Sequence, residues 1–509
     1  MTSERTTLAR LRNGQALPLA ELPRLPNDAF FAAVQAGVAA GQRVSALFGA
    51  ALPGTEAIRL YAVLADDAQH RLLAGTTDLD ERTYPSLTPA CPQVHLFERE
   101  LAEQFGVKPI GHPWLKPVRY CRSMNGRDAW NRPAGELPPA VGDFYRVEGE
   151  EIHEVAVGPV HAGVIEPGHF RFQCGGEQVY HLEIALGYQH RGIEAALVGG
   201  PGPRTRSLVE TLSGDATVAH ATSHGLAIEA LAGVEAPPRA QAIRGVALEL
   251  ERLACHIGDL GALAGDVGYL PTSSFCGRIR GDFLNMTALL CGNRFGRGLV
   301  VPGGAGYDLD PARADELGRR LDAGEKDATR AIQLLWDTQS VLARFEEVGT
   351  LSAAAAAELG LVGPAARASG LARDIRRDHP DGGFRAAHPV CVTCPGGDVQ
   401  ARAYVRWLEI QQSLAIIRSQ LRTLPEGPLA AAVGPLAPEA FAVALTEGWR
   451  GEVCHVAVTD AQGRLARYKV VDPSFHNWPG LAQAMRNQAI SDFPICNKSF
   501  NLSYCGHDL

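Results

Sequence analysis

The stretch 158–194, GPVHAGVIEPGHFRFQCGGEQVYHLEIALGYQHRGIE, holds four histidines, two arginines and four glutamates within otherwise apolar sequence. Imidazoles and carboxylates at that density can pass protons near neutrality once burial and neighbouring charges move their pKa values. Such a set makes a poor solvated coil, so its polar side chains are expected to converge on a cleft. His161, Glu166, His169, Arg171, His190, Arg191 and Glu194 are the candidates it supplies.

Strands and turns must position these groups. Val160, Val164, Phe170 and Phe172 are strand-type residues, and Gly163, Gly168 and the pair Gly175-Gly176 are turn residues. From Tyr180 to Glu194 the spacing predicts a change to helix, ending in His190-Arg191-Gly192-Ile193-Glu194.

A chain of 509 residues exceeds one ordinary core, so two or three domains are expected. Its 46% hydrophobic and 20% charged residues place it among globular proteins, and the net charge of −8 argues against a nucleic-acid partner. No apolar run approaches the roughly 18 residues that span a bilayer. The first residues lack the apolar core of a secretory signal, so a cytoplasmic location is expected. The eleven cysteines show no disulfide-type spacing and should be reduced thiols. Cys391 and Cys394 form the one CxxC, a weak metal signal by itself. No phosphate-binding glycine motif follows a predicted strand, which leaves NAD and ATP unsupported.

In chain order, 58–66 and 71–79 read as strands of a small mixed α/β unit, and 95–106 as an amphipathic helix with Leu96, Phe97, Leu101 and Phe105 on one face and Gly106 as its cap. The proline-rich loop 107–120 carries Trp114, Leu115 and Val118 and should dock on something. Residues 122–150 read as linker. Long helices are predicted over 239–268, 275–295, 311–346 and 398–423, with 353–357 as plain helix. Arg252 and His256 read as a structural pair within the helices. Residues 449–475 read as a hairpin about the turn 460–463, followed by a short helix.

Several stretches, taken in order, resemble one family: the thirty-kilodalton and forty-nine-kilodalton type subunits of respiratory complex I and the related large subunit of group 4 membrane-bound [NiFe] hydrogenases, including the formate hydrogenlyase type. YPSLTPACPQVHLFERELAEQFGVKPIGHP is similar to the signature of the smaller of those complex I subunits. The 158–194 stretch, ELERLACHIGDLGALAGDVGY, VVPGG, RASGLARDIR, GGDVQAR and RYKVVDPSFHNW follow in the order of the larger one. The resemblance implies an α+β protein. A small N-terminal mixed α/β domain (1–125) would be joined by a linker (126–150) to a mainly helical hydrogenase-large-subunit-like domain (151–509) with peripheral β hairpins.

Hydrogenases of this family hold nickel and iron on two CxxC motifs, because soft thiolates suit that metal pair. At the corresponding places this chain has Ser213-Gly214-Asp215-Ala216 and Asn501-Leu502-Ser503-Tyr504-Cys505-Gly506. Both pairs are missing. Cys496 and Cys505 are too far apart in sequence to replace one, and the cleavable extension used in nickel insertion is not expected. The resemblance puts Glu166 where hydrogenases have a proton-passing glutamate and His161 near the start of the complex I quinone pocket. Asp215, His220 and Asp492 join the candidate set around the lost metal. Asp374 would either line the cleft or end an exposed helix.

Glu166, His169 and Asp215 are therefore expected to face one cavity and to exchange protons there, an unpaired buried carboxylate tending towards a raised pKa. The implied role is that of an oxidoreductase subunit with no cofactor of its own. Electrons would arrive from a [4Fe-4S] cluster in a small partner subunit, with a ferredoxin-like Fe-S subunit and antiporter-like membrane subunits as further partners. Electrons would pass to a quinone-like acceptor or drive proton or ion translocation, with the complex lying against the inner face of the cell membrane. A [NiFe] enzyme with unusual ligands and a non-catalytic assembly scaffold remain open at this point.

Overall fold

The computed structural model describes residues 7–132, 142–161, 165–385, 387 and 389–509. Gly163, Val164 and the central part of the linker lie outside the described residues.

The N-terminal part is a four-stranded antiparallel sheet in the order Ala9–Leu11, Arg71–Leu79, Ile58–Asp66, Arg43–Ala51, backed by the helices Asn27–Ala39 and His95–Phe105. The strands over 58–66 and 71–79 and the second helix match the sequence pattern, and Gly106 ends that helix in the left-handed region at φ 67°. Its apolar face is only half the reason it is buried. Glu98, Glu100 and Glu103 are buried as well, each on a separate set of donors. Glu98 accepts from Ser86, Leu87 and Thr88, and Glu103 from the amides of Val118, Arg119 and Cys121. Glu103, with Glu100 on Arg119, folds the end of the proline-rich loop back onto the helix, and Glu98 holds the segment that precedes it. Trp114 Nε1, Lys116 Nζ and the amide of Tyr145 all donate to Glu183 on the strand Gln178–Ala185, which is where that loop docks.

The remainder is α+β with a helical layer formed by Pro238–Asp266, Leu270–Cys291, Pro311–Trp336 and Val399–Arg422 around one large core. The segment 311–346 is two helices, broken at Asp337 and Thr338. The hairpin about 460–463 is present as Gly451–Thr459 and Leu465–Val471. It is not peripheral. The strand Ala440–Gly448 pairs with it, and every residue of Ala440–Gly448 and Gly451–Thr459 is buried, because helices and the first sheet cover both faces. The strand Gln15–Pro18 from the N-terminal part completes this sheet by pairing with Ala440–Val443. Tyr61 of the first sheet stacks on Phe441 of the second at 6.1 Å, and a single core runs through both.

The 158–194 stretch departs from the pattern in its second half. His169–Gly175 and Gln178–Ala185 form the hairpin about Gly176, so the predicted helix from Tyr180 is a strand followed by a loop, and helix appears only over Ile193–Leu197. Leu182, Glu183 and Ala185 find sheet partners on the neighbouring strand, and tertiary pairing overrides the local spacing.

Charges also bind the two parts. Lys469 lies 2.6 Å from Glu100 and 3.0 Å from Glu194, Arg467 lies 2.9 Å from Glu194, and Arg119 pairs with Glu100. Glu100→Gln leaves two buried cations short of a counter-charge. The expected result in chemical denaturation is a loss of about 3–5 kcal/mol, with both parts unfolding in one transition.

Candidate functional site

Two loops meet where the sequence lacks its cysteines. Residues 213–216 precede the helix Thr217–Ala232, and 501–506 lead into the short helix Tyr504–Asp508. Ser213 Oγ and Ser503 Oγ are 3.0 Å apart. Ser503 Oγ also accepts from the amide of Gly506 and lies 3.4 Å from Cys505 Sγ. Glu166 closes the far side, its two oxygens accepting from the amides of Tyr504 and Cys505 at 3.3 Å.

Arg450 fills the space between the loops. It stands at the tight turn between the strands Ala440–Gly448 and Gly451–Thr459, and its guanidinium packs 3.8 Å over the Trp449 ring. Its Nη atoms donate to both oxygens of Asp215 at 2.7 and 2.8 Å, and its Nε donates to the carbonyl of Asn501. The expectation of an unpaired Asp215 carboxyl with a raised pKa is thereby corrected. Burial pushes that carboxyl up, but the Arg450 guanidinium outweighs it and holds Asp215 below the usual carboxylate range.

The donor set does not fit a nickel centre. Serine, alanine, serine and glycine stand at the four ligand positions, and a permanently charged guanidinium lies 3.4 Å from the first of them, Ser213. A β carbon at 506 would come within 2.5 Å of Asp472 Oδ2, which leaves no room for a thiolate there. The nearest thiols are poor substitutes. Burial, reinforced by Glu166, pushes Cys505 up to about 11, and burial with Asp215 pushes Cys255 up too, so both stay protonated at neutral pH.

Behind Arg450 runs a buried chain of hydrogen bonds. Asp472 Oδ2 is 3.0 Å from His220 Nε2, His220 Nδ1 is 3.1 Å from His455 Nε2, and His455 Nδ1 is 2.8 Å from the Tyr468 hydroxyl, which lies 2.7 Å from His224 Nδ1. Burial works against the Asp472 carboxylate, but the His220 bond and the Arg450 charge hold it ionised. An ionised carboxylate only accepts, so His220 Nε2 donates to Asp472, and when His220 carries a single proton the further members each donate one step towards it: His224 to Tyr468, Tyr468 to His455, His455 to His220. Burial pushes His224 down to about 4 and, with His220 and His224 adding to it, His455 further still, which keeps those imidazoles neutral.

Sequence reading missed Glu251. It lies one turn before Cys255 on the helix Pro238–Asp266 and accepts from the amides of Val218 and Ala219 at the start of the helix Thr217–Ala232. Burial raises its carboxyl to about 8. With Asp215, Cys255, Arg280 and Arg294 it lines a small cavity beside the cleft. Its position inside an apolar helical run disguised it. Arg450, Asp472 and His455 were likewise read only as parts of a strand hairpin.

The other candidates separate into distinct places. His169 is buried on the far side of its strand, with Nδ1 on the Gly158 carbonyl and Nε2 accepting from Arg171, and no contact joins it to Asp215. Arg171 pairs with Glu154, and His161 bonds the Gly168 carbonyl. His190 and Arg191 clamp the last residues through the carbonyls of Asp508 and Cys505. Glu194 belongs to the buried ion network with Arg467 and Lys469, which neutralises it and leaves no free acid. Asp492 pairs with Arg344 near the surface. Cys496 is buried beside Arg402, away from Cys505. Asp374 is no exposed helix end. It is buried on Arg376 in a cluster that also holds Glu249, Arg252, Arg367, Glu409 and Glu447, with His256 on Glu409.

The model of the respiratory-chain NADH dehydrogenase 49 Kd subunit matches residues 266–439, and that of the 30 Kd subunit matches 37–129. Formate hydrogenlyase subunit 5 of Escherichia coli is 30% identical over 84% of this chain and 77% of its own length. The chain belongs to the family of the larger of these two complex I subunits and the membrane-bound hydrogenase large subunits. Carbon monoxide-induced hydrogenase of Rhodospirillum rubrum is 33% identical over 69% of this chain and 97% of its own length. The D 2 chain of the NADH-quinone oxidoreductase of Solibacter usitatus is 31% identical over 66% and 91%. Members of this family are oxidoreductase subunits, and no helix among the described residues is long and apolar enough to cross a membrane.

Elemental analysis of the purified chain is expected to give far less than one nickel per chain, and a stoichiometric content would overturn the reading of the donor set. Glu251 makes a separate expectation. Its folded pKa lies above the unfolded value, so the folded state keeps a proton that the unfolded state loses between about pH 4 and 8, and stability falls with rising pH by up to about 1.4 kcal/mol per unit. Glu251→Gln should remove that slope, becoming the more stable form at pH 8 and showing no such gain at pH 4.

Proposed function

We propose that this chain is the large subunit of a membrane-associated oxidoreductase complex that works without nickel. Electrons come from a [4Fe-4S] cluster in a small partner subunit, and the cleft couples their passage to a quinone-like acceptor, or to ion translocation by antiporter-like membrane subunits, through proton movement. A ferredoxin-like Fe-S subunit would complete the electron path. The complex would sit on the cytoplasmic face of the membrane through those partners. Quinone is named in the NADH-quinone oxidoreductase relative from Solibacter usitatus, and the hydrogenase relatives share the same framework.

The observation that carries this reading is the directed chain from His224 to Asp472. A structural core has no need of five linked polar side chains, since burying them unpaired would be costly and apolar packing would serve as well. Asp472 ends the chain next to Arg450 and the two loops. A change of charge at the cleft alters the balance on Asp472. When Asp472 takes the proton from His220 Nε2, His220 Nδ1 receives one from His455, His455 Nδ1 one from Tyr468, and Tyr468 one from His224, whose Nε2 takes up the replacement. One proton crosses the chain with every member neutral at the end. Glu166 and Glu251 flank the cleft as further carboxylates.

Tyr468→Phe keeps the ring and its packing and removes only the hydroxyl between His455 and His224. Turnover of the assembled complex should fall by about 10²-fold, on the scale of a lost proton-transfer group, in a complex that still assembles despite about 1–3 kcal/mol lost for the buried imidazoles left without the hydroxyl. Glu166→Gln should act in the same direction. Full turnover in both variants would return the chain to a packing role and favour a scaffold.

A further inference from the structure

A second cavity, of about 600 Å³, lies away from the cleft between the helix His95–Phe105, the proline-rich loop, the strand Gln178–Ala185 and the helix Pro473–Ala484. None of Glu166, Asp215, Glu251, Arg450 or Cys505 lines it. Its size is that of a small-molecule site. The walls are largely apolar, with Leu96, Val118, Leu182, Leu186, Trp478 and Pro479 among them.

Besides neutral histidines, tyrosines and Gln483, these walls carry three cationic side chains, Arg99, Lys116 and Arg486, against one acid. Arg99 spends Nε and one Nη on the carbonyls of Lys116 and Pro117, and among the described residues no carboxylate lies within ion-pair distance, although Glu183 and Glu103 act on it from further away. Arg486, at the rim, is exposed and also has no ion pair among them. Glu183 is the one acid in the lining, and Lys116, Trp114 and the Tyr145 amide already occupy it. Trp478 Nε1 and the Tyr120 hydroxyl are buried with no partner, and Trp478 is only 3% exposed. An apolar cavity with three cations against one acid, and with two idle donors, carries an excess of positive charge.

We propose that this cavity binds a small organic acid with a flat apolar body, whose carboxylate or equivalent anionic group is held on the Arg99 side while the body packs against Trp478. The site is independent of the cleft chemistry.

Calorimetric titration of the full-length chain with 2-naphthoate, and with naphthalene-2-carboxamide as its neutral counterpart, tests this. The acid should bind one per chain and at least about tenfold more tightly than the amide. Ala482→Phe, which places a ring into the wall, should weaken acid binding by at least about tenfold without changing the circular dichroism spectrum. Arg99→Gln should erase most of the preference for the acid. Should that variant fail to fold, Arg486→Gln on the exposed rim should still reduce the preference several-fold, and Trp478→Phe should weaken binding with the ring retained. Equal affinity for acid and amide, acid binding unchanged in Ala482→Phe, or no saturable binding up to ~10 mM would each overturn the proposal.

Discussion

A guanidinium in a protein interior has to be paired, and Arg450 meets that demand by taking both oxygens of Asp215. Much of the cleft follows from this. The pair fixes the 213–216 loop against the 501–506 loop, lets Ser213 and Ser503 meet as neutral hydroxyls, and brings a permanent positive charge close enough to Asp472 to keep it ionised. An ionised Asp472 in turn sets the direction of every hydrogen bond behind it. Hydroxyls, carboxylates and imidazoles are thereby gathered around one arginine.

The same rule holds in two further buried clusters. Arg367 and Arg376 are matched by Glu249, Asp374, Glu409 and Glu447, and the Lys469, Glu100 and Glu194 network fastens the N-terminal unit to the central sheet. Such networks add little net stability over apolar packing, but they penalise any arrangement that separates their members. They hold the small N-terminal unit against the larger part.

The helices and the first sheet were legible because their apolar residues recur at regular spacing, as in Ile58–Asp66 and His95–Phe105. The lost cysteine motifs were equally legible, since Ser213 and Ser503 stand at fixed places within a long ordered resemblance. What sequence could not disclose was which polar groups meet. Glu194, His190 and Glu166 lie within one short stretch yet serve an ion network, a clamp and the cleft respectively, because a strand and a loop aim successive side chains at different neighbours. His220 and His455 are 235 positions apart and touch. The segment from Tyr180 was misread as helix for a related reason: its register partner, not its own periodicity, makes it a strand.

The strand Gln15–Pro18 gives the fold a temporal aspect. Its partner lies near the other end of the chain, and the neighbouring bond from Asn13 to Leu445 spans 432 positions. At translation rates of about 5–20 residues per second, the segment emerges roughly 20–90 s before the strand it completes. Until then the first sheet lacks the cover that Phe441 and its neighbours provide, and its apolar face must be shielded by something other than its final partner. The strand that covers the first unit is thus made long after it, so the beginning of the chain waits for its final partner.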